Sequence, residues 1–313
     1  MLATSMLRLC VLTLLVSTHA VAAPPHDLPE HNHKSNKHQS ARLTDPVNPS
    51  IPAIPLTDSI DTDLKQQRQA VISIILDDLG YRLKDGTRAV GLPGNITCAF
   101  LPGSPHAKNL AKLAHQQGKE IMLHLPMQAT SGKEMGPVGL SEAMSEEDLK
   151  RTLHRELNTL PHVRGFNNHM GSYLTGVRSR MRWLMEAAMF HNDLYFVDSK
   201  TTSSSVAGIE ADKLGIAHTN RDIFLDYERN SQVVEAQLSL LLKTAKRKGV
   251  AVAIGHPYPE TVAVLEKWLS TLKDHNVRLV PVSELIQIKN RRKSMPWQMS
   301  SSPSLKAVKN SKL

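Results

Sequence analysis

Acids and imidazoles recur in this sequence at the ends of short apolar runs. Val71 to Leu76 is apolar and β-branched and stops at Asp77 and Asp78. His124 lies near the end of the run 120–125, His169 follows Asn167 and Asn168, Asp198 ends the run 194–198, Asp226 ends 223–226, and His256 follows Gly255 at the tip of 250–254. Two adjacent carboxylates beside a buried strand repel each other, and a cation or metal is the simplest way to keep both ionised. One carboxylate with two neutral imidazoles leaves open positions on a divalent ion, as catalytic rather than structural sites do. Such an ion polarises a carbonyl and lowers the pKa of bound water. Taken singly, each residue has a plainer reading, as a helix-capping Asp or a core His bonded to a backbone carbonyl. Their shared position at strand ends is what joins them. Ser199, in the polar stretch after Asp198, lacks the G-x-S-x-G surroundings of a nucleophilic elbow.

The elements that must position these residues alternate. Strands are expected at 71–76, 96–101, 120–125, 165–170, 194–198, 223–226 and 250–254, with a short last one at 278–282. Helices are expected at about 105–117, 145–160, 179–191, 231–248 and 261–272, with a final one from Ser283. Ser145 and the acids after it read as a helix start, and Gly249 as a stop. This alternation implies right-handed β-α-β units and a parallel sheet, whose chemistry sits at the C-terminal strand ends. About seven strands in this length favour a barrel or a strongly curved sheet. Strand side chains alternate, so Asp77 and Asp78 share one task only if the strand breaks between them. No G-x-G-x-x-G or G-K-[ST] supports a nucleotide-phosphate cradle.

Composition bounds the rest. The 313 residues, 41% of them apolar, suffice for one sizeable core with modest extensions. Formal charge is +9, yet 287–313 holds seven bases (Lys289, Arg291, Arg292, Lys293, Lys306, Lys309, Lys312) and no acid, which leaves the body near neutral. Aromatics at 4% exclude a broad base-stacking platform, so nucleic acid is not an expected partner. Residues 1–22 read as a signal peptide: Arg8, an apolar run 9–16, then Ala20, Val21 and Ala22. The expected location is periplasmic or secreted. Residues 23–69, rich in Pro and His (His26, His31, His33, His38), read as a disordered linker; 70–288 as the barrel; 289–313 as a basic disordered tail able to touch an anionic envelope weakly. Cys98 alone outlasts processing and should pack as a small apolar side chain.

The segments 74–80, 122–127, 165–172, 196–200, 224–226 and 255–257, with Asp77-Asp78, His124-Leu125-Pro126, Asn168-His169, Asp198-Ser199-Lys200 and His256-Pro257, together resemble the divergent polysaccharide deacetylase family, distantly similar to the NodB-like carbohydrate deacetylases. The resemblance implies an α/β fold, a distorted (β/α)7 barrel, with a divalent metal of the Zn2+ type and a polysaccharide or peptidoglycan-type glycan as substrate. By position it makes Asp77 the base, Asp78 a metal ligand and His256 the general acid. Typical members hold two metal histidines in one H-x-x-x-H-P turn, which this chain lacks; His124 and His169, on separate strands, take their place. Asn168, Asp198 and Asp226 are expected as outer hydrogen-bond partners or substrate contacts. The expected function is an exported metal-dependent hydrolase removing acetyl groups from an N-acetylated envelope polysaccharide. The competing reading is a non-catalytic barrel with a degenerate site that binds a glycan or a cell-wall partner.

Overall fold

The computed structural model describes residues 69–136 and 138–294. The expected signal peptide, nearly all of the linker and the end of the basic tail lie outside the described residues.

Strands β1 (Ala70–Leu79), β2 (Thr97–Phe100), β3 (Glu120–Met127), β4 (Val163–Met170) and β5 (Tyr195–Asp198) pair in sequence order, every ladder parallel. Beyond β5 lies β6 (His218–Asn220); on the other side of β1 lie β8 (Val250–Gly255) and then β7 (Ile223–Phe224). Only Arg221 and Asp222 separate β6 from β7, with Arg221 N–H donating to Asp198 O at 2.9 Å and Asp222 N–H to Val252 O at 2.8 Å. One bent segment thus pairs with β5 by its first half and with β8 by its second. Counted that way, seven strands form the distorted (β/α)7 barrel expected from the sequence. A further strand, β9 (Val277–Leu279), pairs with the first residues of β1, below the point where β2 begins.

Side-chain alternation divides the core in two. Val71, Ile75, Ala99, Met122, Tyr195, Val197, Val252 and Ile254 fill the barrel interior. Ile72, Ile74, Leu76, Leu123, Leu125, Phe166 and Phe196 pack outward against the helices. Those helices are α1 (Leu83–Val90), α2 (Ala107–Gln116), α3 (Glu146–Thr159), α4 (Arg178–Ala188), α5 (Ala207–Lys213), α6 (Ser231–Lys248) and α7 (Pro259–Thr271). Ser145 caps α3 by accepting from Asp148 N–H, Asn230 caps α6 by accepting from Gln232 N–H, and Gly249 at φ 84° ends α6 in a conformation open to glycine. Cys98 is fully buried, which raises its thiol pKa to about 12.

The last helix, α8 (Val282–Ser294), lies across the N-terminal mouth of the barrel. Val282, Leu285 and Ile286 plug the interior, Lys289 donates to Thr219 Oγ1 at 3.2 Å, and Arg292 donates to Gly249 O at 2.7 Å and Gln69 O at 2.9 Å. The helix therefore runs six residues past the boundary drawn at 288. Three elements carried no readable sequence signal. α1 includes Gly86 and lacks a capping side chain, α5 is only 7 residues long, and β6 is the polar triplet His218-Thr219-Asn220.

Candidate active site

Interior-facing residues of the strands become polar where the strands end. Two positions beyond Ile75 stands Asp77, beyond Met122 stands His124, and beyond Ile254 stands His256, so all three stay on the inner face at the C-terminal rim. Asp78 by strict alternation would face the helices. It does not, because the β1–β2 register breaks between Leu76 and Leu79 and Asp78 adopts φ 58°. A bulge of this kind re-aims a side chain, and a non-glycine residue at positive φ is the kind of local strain found at functional sites. Gly80 completes the turn at φ 120°, where a Cβ would stand 1.9 Å from Ser104 Oγ.

Three donor atoms meet at this break. Asp78 Oδ1 lies 2.9 Å from His169 Nδ1 and 3.2 Å from His124 Nε2, and the two nitrogens are 3.1 Å apart. Donors at about 2.0–2.1 Å from a tetrahedral ion stand about 3.3 Å from one another, so the triangle has the size of a metal-ligand face. Asp78 Oδ1 is buried without a hydrogen-bond partner: the imidazoles approach it in directions that make no hydrogen bond. An orphaned, buried carboxylate oxygen facing two ring nitrogens fits a divalent cation. Burial opposes the charge on Asp78, but the two facing imidazoles hold its carboxyl far below the usual carboxylate range.

Asn167 organises what lies behind. It pairs with His124 across the β3–β4 ladder, and its Oδ1 lies 2.8 Å from His124 Nδ1. As an acceptor it takes the proton of Nδ1 and leaves Nε2 with a lone pair toward Asp78, the tautomer a ligand needs. Its Nδ2 donates to both oxygens of Asp77, at 2.9 and 3.1 Å, and to Ser199 Oγ at 3.3 Å. Asp77 is 2% exposed, and desolvation raises its pKa against the pull of His124 and His256. For His124, burial works against the charge, but the fields of Asp77 and Asp78 outweigh it and lift its pKa to about 9.

On the opposite side, His256 Nε2 stands 3.8 Å from Asp78 Oδ2. Its Nδ1 is 2.9 Å from Asp226 Oδ1, while Asp226 Oδ2 accepts from His256 N–H and from Thr261 Oγ1, both at 2.7 Å. Its ring packs against Tyr258, 5.2 Å away and stacked, and against Phe224 at 5.6 Å. Burial would lower the pKa of His256; the bond to Asp226 and the charges of Asp226, Asp77 and Asp78 raise it.

Of the eight residues singled out from the sequence, Asp77, Asp78, His124, His169 and His256 come together, and Asp226 backs His256. Asn168 and Asp198 hold loops instead. Asn168 accepts from Ser199 N–H at 2.8 Å and donates to Met170 O at 2.7 Å; Asp198 accepts from Lys200 N–H at 2.8 Å and Ser205 Oγ at 2.7 Å. Val197 occupies the barrel interior, so Asp198, one residue on, is turned away. The outer partner of His124 is Asn167, which sequence reading passed over. Alternation held the signal, because Asn167 lies two residues before His169 on the same face.

Barrel and site together define the class: a parallel α/β barrel with acid and imidazole groups gathered at its C-terminal rim. The chain belongs to the divergent polysaccharide deacetylase family, whose sequence profile matches residues 74–286. It is 35% identical over 215 residues to the Escherichia coli (strain K12) protein YibQ, covering 69% of this chain and 67% of that one. It is likewise 35% identical over 217 residues to a Haemophilus influenzae protein, covering 69% of this chain and 77% of the other. Both relatives are described only as uncharacterized. A crystal structure from Agrobacterium tumefaciens C58 shares the fold with a TM-score of 0.67 at 23% identity, over 70% of this chain and 89% of that one.

Proposed function

We propose that the protein is an exported, metal-dependent hydrolase that removes acetyl groups from an N-acetylated envelope glycan. The observation that carries this reading is the convergence of Asp78 Oδ1, His124 Nε2 and His169 Nδ1 within 3.2 Å of one another, beside a separately held Asp77. Those three residues would hold a divalent ion such as Zn2+, which supplies Lewis acidity to the acyl carbonyl and a water of lowered pKa. Asp77, held by both its oxygens on the Asn167 amide, accepts the proton released as water adds to the carbonyl. Its raised pKa makes it a stronger base than an exposed carboxylate. As the C–N bond breaks, His256 gives the Nε2 proton to the departing sugar amine, its Nδ1 being committed to Asp226. A raised pKa keeps that proton on His256 until it is needed.

Metal content and acetate release from N-acetylated glucosamine oligomers test the reading together. The parent should carry about one equivalent of a divalent metal and release acetate, and Asp78→Ala should lose both while keeping its fold. An unchanged rate in Asp78→Ala would sink the mechanism. A parent with neither metal nor acetate release would leave the barrel as a glycan- or partner-binding module.

A further inference from the structure

Two basic helix ends lie together at the end of the barrel opposite the acids and imidazoles. Helices end where the next strand begins, so the last turn of α6, with Lys246, Arg247 and Lys248, lies at the N-terminal mouth. α8 crosses that mouth, and its last turn carries Arg291, Arg292 and Lys293. The two helix ends are neighbours, because Arg292 donates to Gly249 O, one residue past α6, and to Gln69 O at the start of β1. A single basic last turn is explained by the negative end of its own helix dipole. Two of them side by side make a field that no helix requires.

Asp222 is engaged with Lys248 at 2.8 Å and Glu284 with Arg278 at 3.2 Å, while Asp212, whose field reaches Lys289 of α8, lies 3.8 Å from His218 Nδ1. Lys246, Arg247, Arg291 and Lys293 are exposed, and among the described residues no carboxylate pairs with them. Past Ser294 the sequence adds Lys306, Lys309 and Lys312 and no acid.

We propose that this face docks on an anionic lipid surface, with the C-terminal rim and its acid and imidazole groups turned away from the bilayer. Charge complementarity selects the occupant. The exposed groups are four long, flexible cations without an aromatic or apolar wedge among them, suited to headgroup charge rather than to insertion. The geometry also leaves the rim open while the face is held. This inference concerns placement and is independent of which reaction, if any, the rim performs.

The experiment is co-sedimentation of the full chain with phosphatidylcholine vesicles, with or without about 30% phosphatidylglycerol, at low and physiological salt. A quadruple variant, Lys246→Gln, Arg247→Gln, Arg291→Gln and Lys293→Gln, is compared with a charge-matched control on the flank helices: Lys84→Gln, Lys108→Gln, Lys112→Gln and Lys267→Gln. All eight positions are exposed, so both variants should melt like the parent. Any contribution from the apolar run at 9–16 is common to all three chains. The parent should bind only the anionic vesicles, and less as salt rises. The quadruple variant should lose partitioning by about tenfold to several hundredfold, and the control far less. Equal losses in both variants would mean that net charge rather than this face attracts lipid, and would overturn the proposal. So would salt-insensitive binding, or binding to a soluble polyphosphate with none to vesicles, which would make the partner a polymer.

Discussion

One amide ties together two groups of the site. Asn167 accepts from His124 Nδ1 and donates to both oxygens of Asp77, so its loss frees an imidazole tautomer and a carboxylate at once. Asn167→Ala should weaken metal binding by about 10–100-fold in a chelator competition, as losing an outer partner does. Asn168→Ala, which removes hydrogen bonds to Met170 O and Ser199 N–H and none to an imidazole or to Asp77, should leave that affinity unchanged. Protons compete with metal for His124. Its pKa in the metal-free fold, about 9, lies above the ordinary 6.5, so the folded state binds that proton more tightly than the unfolded one. The stability this adds is complete below about pH 6.5 and disappears as pH rises through about 9. Chaotrope unfolding of metal-stripped protein should therefore show that contribution falling between those values, and His124→Gln should flatten the profile.

At the scale of elements, the end of β1 decides whether the site exists. Asp78 reaches the imidazoles only because the strand bulges and the chain turns through Gly80 at φ 120°, against Ser104 and Ala107. Gly80→Ala should cost about 1–3 kcal/mol in thermal or chaotrope unfolding, from positive-φ strain and collision with Ser104. Adding Ser104→Gly should recover the collision part and not the strain. The helices are less demanding. Asn230, which caps α6, should cost about 1 kcal/mol when replaced by Ala, an ordinary capping loss that leaves metal content untouched.

At the scale of the whole molecule, the barrel is open at one end and sealed at the other. The interior column from Val71 and Ile75 to Val252 and Ile254 ends below at Val282, Leu285 and Ile286 of α8. Glu120, at the same end, accepts from Tyr195 OH at 2.8 Å, Thr97 Oγ1 at 3.2 Å and Ser283 N–H at 3.2 Å, which ties the start of α8 to side chains of β2, β3 and β5. Leu285→Ala should cost about 2–5 kcal/mol, the range for a fully buried leucine, when unfolding is followed by circular dichroism. Since the seal is remote from the rim, the folded variant should keep the metal stoichiometry of the parent. A drop in metal content without a drop in stability would show that the two ends are coupled.

Much of this was written in local pattern. The parallel α/β architecture followed from alternation of apolar β-branched runs with helical periodicity, and α6 falls at 231–248 as its periodicity and glycine stop indicate. Asp77, His124 and His256 were legible because each stands at or near the end of an apolar run, and type and position alone put them on one rim. What lay beyond the sequence was anything that depended on register or on a break in it. Alternation sends Asp78 to the wrong face, and only a bulge in the β1–β2 ladder, with a left-handed residue, returns it to the imidazoles. Alternation alone puts Asn167 on the face of His169, but its pairing with His124 is set by the β3–β4 register. Closure by one bent strand was likewise hidden, since His218 to Asn220 are held by their neighbours and have no apolar pattern of their own. Local sequence determined most of the elements and the titratable groups of the site, because propensity and periodicity act over a few residues. Their convergence was decided by tertiary structure, because ladder register and strand breaks are settled only when distant segments pair.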